Sequence, residues 1–178
     1  MSAQESRQIP MTSIKPTLKI TLSAMFIAVG TLLSYVNPFK DVLLFGAKIN
    51  PFVHLINAIS GVILGPVYAV IIAVTIASIR FSMSWGTILA FPGGISGALV
   101  VGLVSKVLKN KYKKIAALTE PIGTVFIGAT ISAYILQTKV LSLWILFALS
   151  SIVGAILGFI LLAIILLKES SIKTLIET

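Results

Sequence analysis

The charged residues of this chain sit at the ends of long apolar runs, and that placement constrains its fold more than any other feature. From Leu141 to Leu167 there is no charged residue at all. A chain of 178 residues that is 57% hydrophobic and 11% charged cannot hide such runs in a globular core. Soluble domains average about 25% charged residues. The chain therefore reads as an all-α integral membrane protein with one membrane domain. Its net charge of +9 does not argue for a nucleic-acid partner, because lysines flanking apolar runs are the signature of membrane topology. There is no cysteine, which excludes disulfides and thiolate metal sites. One histidine and five acidic residues argue against a metal centre, and no cofactor is expected.

Proline and glycine punctuate the apolar runs into six expected helices. Met1–Pro16 is polar, broken by Pro10 and Pro16, and reads as a short cytoplasmic tail rather than a cleavable signal. The helices are expected at Thr17–Val36, Pro51–Leu64, Pro66–Arg80, Pro92–Val107, from Ile115 or Thr119 to Gln137, and at Leu141–Leu167. Residues 17–167 form the membrane domain, and Lys168–Thr178 reads as a polar tail. Asn37-Pro38 ends the first helix, since proline disfavours a helical residue before it. Gly65-Pro66 makes a tight turn. The second and third helices have about 15 residues, or about 22 Å. A bilayer core needs roughly 20 residues. Short, interrupted segments in transporters often flank a cavity. The loop from Asn37 to Lys48 is a candidate lid, and Phe81–Phe91 reads as a loop or partly re-entrant segment.

Lysine and arginine orient the helices. Ten lie on the side of the two tails and the 4–5 loop, against four (Lys40, Lys48, Arg80, Lys139) on the other. Both termini are thus expected in the cytoplasm of a cell-membrane protein.

The stretch from Asn50 to Gly97 is the best pointer to function. Polar groups in a greasy scaffold are expensive, and this stretch holds the only histidine and an arginine at the end of an apolar helix. His54 and Asn57 share one helix face at i, i+3. They could bind a small heterocycle or bond neighbouring helices. Arg80 could hold an anionic or carbonyl-rich group, or snorkel to the headgroups. Trp85, Phe91 and Trp144 could stack on a flat ring or belong to an interfacial aromatic belt. Gln137 sits at a plausible rim. Glu120, in T-E-P-I-G-T, reads as an anchor at a helix start near the inner face, where a carboxylate meets the positive end of the dipole. Ala24 and Ala28, one turn apart, let another helix approach closely.

Catalysis finds little support. The acidic residues are Glu5, Asp41, Glu120, Glu169 and Glu177, mostly in tails or loops. There is no phosphate-cradling loop, no nucleotide-binding domain, and no repeat giving two transporter halves. A binding subunit that needs partners is the expectation.

PFVHLINAISGVILGPVYAV, the apolar run to Arg80, GTILAFPGGISGALVVGL and TEPIGT together resemble the ThiW family, over about residues 17 to 165. Members of that family are substrate-binding S-components of energy-coupling factor (ECF) transporters. The resemblance implies the six-helix S-component bundle. It also implies a transmembrane T-component and two ATPase subunits as partners, and hydroxyethylthiazole, the thiazole precursor of thiamin, as substrate. His54, Asn57, Arg80, Thr87 and Phe91 match the family pattern and would bind substrate; Trp85, Gln137 and Trp144 are added from topology. Ala24 and Ala28 are similar to the small-residue motif that docks the T-component. Other readings remain: an S-component for another small heterocycle, a membrane-embedded enzyme using His54, or an assembly subunit without ligand. The ligand should be neutral if Arg80 is structural, and anionic if Arg80 faces the pocket.

Overall fold

The structure, a computed structural model, describes residues 15–108 and 110–176. The expected N-terminal tail lies outside the described residues up to position 14. Lys109, in the basic 4–5 loop, lies outside them too.

Helices α1 (Pro16–Tyr35), α2 (Pro51–Leu64), α3 (Pro66–Ser82) and α4 (Ala90–Val107) follow in order. A 3₁₀ helix (Asn110–Thr119), a π-helical stretch (Ile122–Ala129) and α5 (Thr130–Leu136) then form one continuous span. Helix α6 (Val140–Ile176) closes the chain. The protein is an all-α membrane protein. Among the described residues, four helical segments are long and apolar enough to cross a bilayer, namely Pro16–Tyr35, Ala90–Val107, Tyr112–Leu136 and Val140–Ile165; α2 and α3 are shorter apolar helices.

Helix α2 is the centre of the bundle. It packs against α1, α3, α4 and α6, and most of its residues are buried, from Pro51 to Leu64. That burial explains how a 14-residue helix, shorter than a bilayer is thick, is tolerated. Asn50 caps its start by accepting from the Val53 amide at 3.3 Å, and Pro51 occupies the first turn, where no amide is needed. The helix stops at Gly65, whose φ of 83° and ψ of −179° suit only glycine. Pro66 then starts α3.

Helix α1 is the opposite case. Only Ser23, Gly30 and Ser34 are buried along it, so most of its surface faces outward. Two further departures from expectation have simple causes. Helix α6 runs on through Ile176, beyond the expected end at Leu167. The segment KESSIKTLI holds no proline or glycine, and charge alone moves a helix out of lipid without breaking it. The expected lid is not a plain loop. Leu43–Leu44 and Ala47–Lys48 form a small antiparallel hairpin, β1 and β2. Its two turn residues, Phe45 and Gly46, both have positive φ, 48° and 78°, as a type I′ turn requires.

Candidate functional site: a cationic cavity beside a buried His–Glu pair

Five elements converge on one cavity. It is lined by Ala47, Lys48 and Ile49 from the hairpin and by Asn50, Val53 and His54 at the start of α2. Arg80 comes from the end of α3, Thr87 and Leu89 from the α3–α4 loop, Ala90, Gly93 and Gly94 from the start of α4, and Leu146, Phe147 and Ser150 from α6. The enclosed space is about 40 Å³, room for a few waters.

The hairpin that roofs it is tied down at its base and its edge. Buried Asn37 donates from Nδ2 to the Ile49 carbonyl at 2.7 Å. Asn50 donates from Nδ2 to Ser34 Oγ at 3.0 Å, and its amide donates to Ser150 Oγ at 3.1 Å. Lys48 Nζ reaches across to the Ser84 carbonyl at 2.7 Å, joining the hairpin to the α3–α4 loop.

Arg80 is 4% exposed. Among the described residues its guanidinium has no ion pair, and its Nε is buried without a hydrogen-bond partner. Its backbone carbonyl accepts from the Trp85 and Gly86 amides at 2.8 and 3.0 Å, which wraps the α3–α4 loop around it. Gly86 lies close against the arginine, where a Cβ would make a tight contact with Arg80 Cβ at 3.2 Å.

Beneath the cavity lies a polar cluster that joins His54 and Asn57 to Glu120 and Thr124. His54 Nδ1 lies 2.7 Å from Glu120 Oε1. The same oxygen accepts from Thr124 Oγ1 at 2.8 Å and from Asn57 Nδ2 at 3.4 Å, and Asn57 Nδ2 also donates to the Gly94 carbonyl at 3.1 Å. Glu120 is fully buried. Gly97 makes the space: a Cβ there would collide with the Glu120 carboxylate and the Thr124 hydroxyl.

Glu120 follows the 3₁₀ helix Asn110–Thr119 directly, at a helix start as its sequence suggests, but its carboxylate is buried and bonded to His54, Thr124 and Asn57 rather than serving the helix end alone. Pro121 follows and lacks an amide hydrogen, so the ladder changes there from tight to wide. An ionisable side chain inside a membrane domain is a functional candidate by default.

The other expected site residues fall in three places. His54, Arg80 and Thr87 line the cavity, and Asn57 sits in the polar cluster beside it. Phe91 packs edge-on to Phe81 at 6.2 Å. Trp85 packs on Tyr35 at 5.1 Å, and both line a separate groove along α1 with Ala24, Ala28 and Ile79. Trp144 donates to Thr130 Oγ1 at 3.0 Å and meets Phe126 edge-on. Gln137 is an exposed left-handed residue at the end of α5, φ 50°. Residues not singled out from the sequence include Lys48 and Phe147 in the cavity lining and Thr124 in the cluster beneath it; Glu120 reads from the sequence only as a helix-start anchor.

Comparison with curated proteins and with solved structures gave no match. The family model of the thiamine-precursor transporter protein ThiW matches residues 20–168, most of the chain and all of the cavity and polar cluster. A transporter family accounts for a cavity with buried polar and cationic side chains among apolar helices, and the chain belongs to the ThiW family of thiamine-precursor transporters.

Proposed function

We propose that this chain is the substrate-binding S-component of an ECF-type importer and that the cavity between the hairpin, α2, α3, α4 and α6 captures the thiazole precursor of thiamin. The observation that carries this reading is the convergence of His54, Arg80 and Thr87 on one enclosed space in a chain of a thiamine-precursor transporter family. His54, steadied by Glu120, offers a ring nitrogen to the heterocycle. Phe147 supplies an aromatic wall. Six membrane crossings with both termini in the cytoplasm, set by the lysine asymmetry, put the cavity on the outer side.

The cavity of about 40 Å³ is too small for a ring ligand of about ten heavy atoms. Loading thus requires the hairpin to lift, with release of the Lys48–Ser84 contact. Uptake is driven by partners. Ala24 and Ala28 are exposed on α1, where a T-component helix would pack against the small-residue face, and two ATPase subunits would supply the energy.

The test is calorimetric titration of the detergent-purified protein with hydroxyethylthiazole and with its phosphate ester, with His54→Ala alongside. Micromolar or tighter binding of either compound, weakened at least tenfold in the variant, is expected. If neither compound binds to folded protein, the substrate assignment fails.

A further inference from the structure

We infer that the cavity is built for a ligand carrying an anionic group, a phosphoryl or a carboxylate, seated on Arg80 with Lys48 as its second cation. This rests on the reading of the cavity as the substrate site and names the chemical class of the substrate.

Three observations point the same way. First, Arg80 is buried, lines the cavity, and has no carboxylate within ion-pair distance among the described residues. A guanidinium withdrawn from water is stable only with a partner for its charge. The Arg80 Nε is buried without a hydrogen-bond partner, as are Asn57 Oδ1 and Glu120 Oε2 in the polar cluster beneath the cavity. Second, the lining contains Lys48, His54 and Arg80 but no Asp or Glu. Glu120, in the cluster beneath the cavity and outside its lining, has Oε1 engaged by His54, Thr124 and Asn57. Third, α2 begins at the cavity wall, with Asn50, Val53 and His54 in the lining. The positive end of its dipole adds to the same field.

Lys48 holds only the Ser84 carbonyl, and that contact is exposed. An arriving anion would draw the ammonium off this neutral acceptor, because hydrogen bonds to charged acceptors are roughly twice as strong. Arg80 presents a planar fork that matches a phosphoryl or carboxylate edge bidentately. A small heterocyclic alcohol would leave both cations without a counter-charge; its phosphomonoester would satisfy them.

A lipid headgroup carries the same phosphate chemistry as a soluble ester, so the experiment separates them. Wild-type protein, Arg80→Gln and Arg80→Lys are placed in nanodiscs of phosphatidylcholine alone or with phosphatidylglycerol. Each is titrated with hydroxyethylthiazole, its phosphate ester and inorganic phosphate, and thermal unfolding checks that every variant is folded. The ester should bind wild type at least tenfold more tightly than the alcohol. Inorganic phosphate should compete, Arg80→Gln should erase the ester's advantage, and Arg80→Lys should keep part of it. Equal ester binding in both lipids assigns the seat to a soluble anion. Ester binding blocked by phosphatidylglycerol, with that lipid retained by wild type but not by Arg80→Gln, assigns the same seat to a headgroup. Equal affinities for alcohol and ester, or an ester advantage that survives Arg80→Gln, overturns the anion seat and leaves the thiazole assignment standing. Phosphate binding that depends on Arg80 while neither thiazole compound binds would do the reverse.

Discussion

His54 and Glu120 lie 66 positions apart in the chain, and their side chains meet at 2.7 Å between Nδ1 and Oε1. The contact ties the start of the central helix α2 to the junction of tight and wide helix in the fifth span. Glu120 Oε1 gathers three donors while Oε2 is buried without one. A carboxylate so placed orients the imidazole that lines the cavity.

Removing that carboxylate should injure both stability and binding. Glu120→Ala strands the hydrogen-bonding groups of His54, Asn57 and Thr124, and each buried unpaired group costs about 1–3 kcal/mol. Glu120→Gln keeps an oxygen for them but loses the charge. Thermal unfolding in detergent should show Glu120→Ala melting several degrees below wild type and Glu120→Gln in between. Binding of the thiazole compounds should fall at least tenfold in both. Wild-type melting and affinity in Glu120→Ala would show the pair to be idle.

Gly97 and Gly94 offer a contrast within one helix. A Cβ at Gly97 would collide with Glu120 and Thr124, whereas at Gly94 it would meet Ala73 and Asn57 at ordinary distances of 3.9 and 4.0 Å. Overpacking costs about 1–3 kcal/mol, while alanine in a helix gains roughly 0.5–1 kcal/mol over glycine. Gly97→Ala should therefore lower the melting temperature and displace the His54–Glu120 pair, and Gly94→Ala should leave stability unchanged or raised. Equal behaviour of the two variants would mean that α4 shifts freely and that the carboxylate needs no reserved space.

These relationships mark where the sequence could be read and where it could not. Helix ends at Asn37-Pro38, Asn50-Pro51 and Gly65-Pro66 were legible because proline and glycine act locally on the backbone. So were His54 and Arg80, which line the cavity, since a polar side chain in or at the end of an apolar run stands out; Thr87 is marked only by the family resemblance. The partner of Glu120 was not legible, because its contact with His54 joins positions 66 apart in the chain and depends on how α2 packs beside the fifth span. Trp85 and Trp144 were placed by topology at one end of the bundle, but topology gives height and not direction around the helix axis. The structure turns Trp85 toward Tyr35 and Trp144 toward Phe126. The hairpin escaped notice because Leu43 to Lys48 lacks the alternation of a half-buried strand and carries only Gly46 as a turn signal.

That hairpin makes its own prediction. Gly46 has φ 78°, and a Cβ there would meet Leu136 Cδ1 at 2.7 Å. A β-branched residue is strained in this backbone region, by about 1–3 kcal/mol. Gly46→Val should spoil the turn and loosen the roof while the helices remain. Stopped-flow measurement of bound thiazole compound should show dissociation about tenfold faster, since 1.4 kcal/mol is a factor of ten, with helical circular dichroism unchanged. An unaltered off-rate would remove the hairpin from the role of lid.

The face of α1 can be tested apart from the cavity. Ala24 and Ala28 border a groove shared with Thr31, Tyr35 and Trp85, and none of these five residues lines the cavity. Close helix packing in lipid depends on small side chains, because lipid tails are as apolar as leucine and bulk keeps the backbones apart. Ala28→Leu should leave the isolated subunit able to bind its thiazole ligand within about twofold, since 0.4 kcal/mol is that factor. The same variant, co-expressed with a T-component and its ATPases, should fail to co-purify with them and should lose uptake into cells. Retained assembly would move the docking surface to another face of the bundle, and the lipid-exposed side of α6, with Ile145, Leu149 and Ile156, would be the next to carry a bulky substitution. Loss of binding together with assembly would mean that α1 also supports the cavity, through Ser34 and its bond to Asn50.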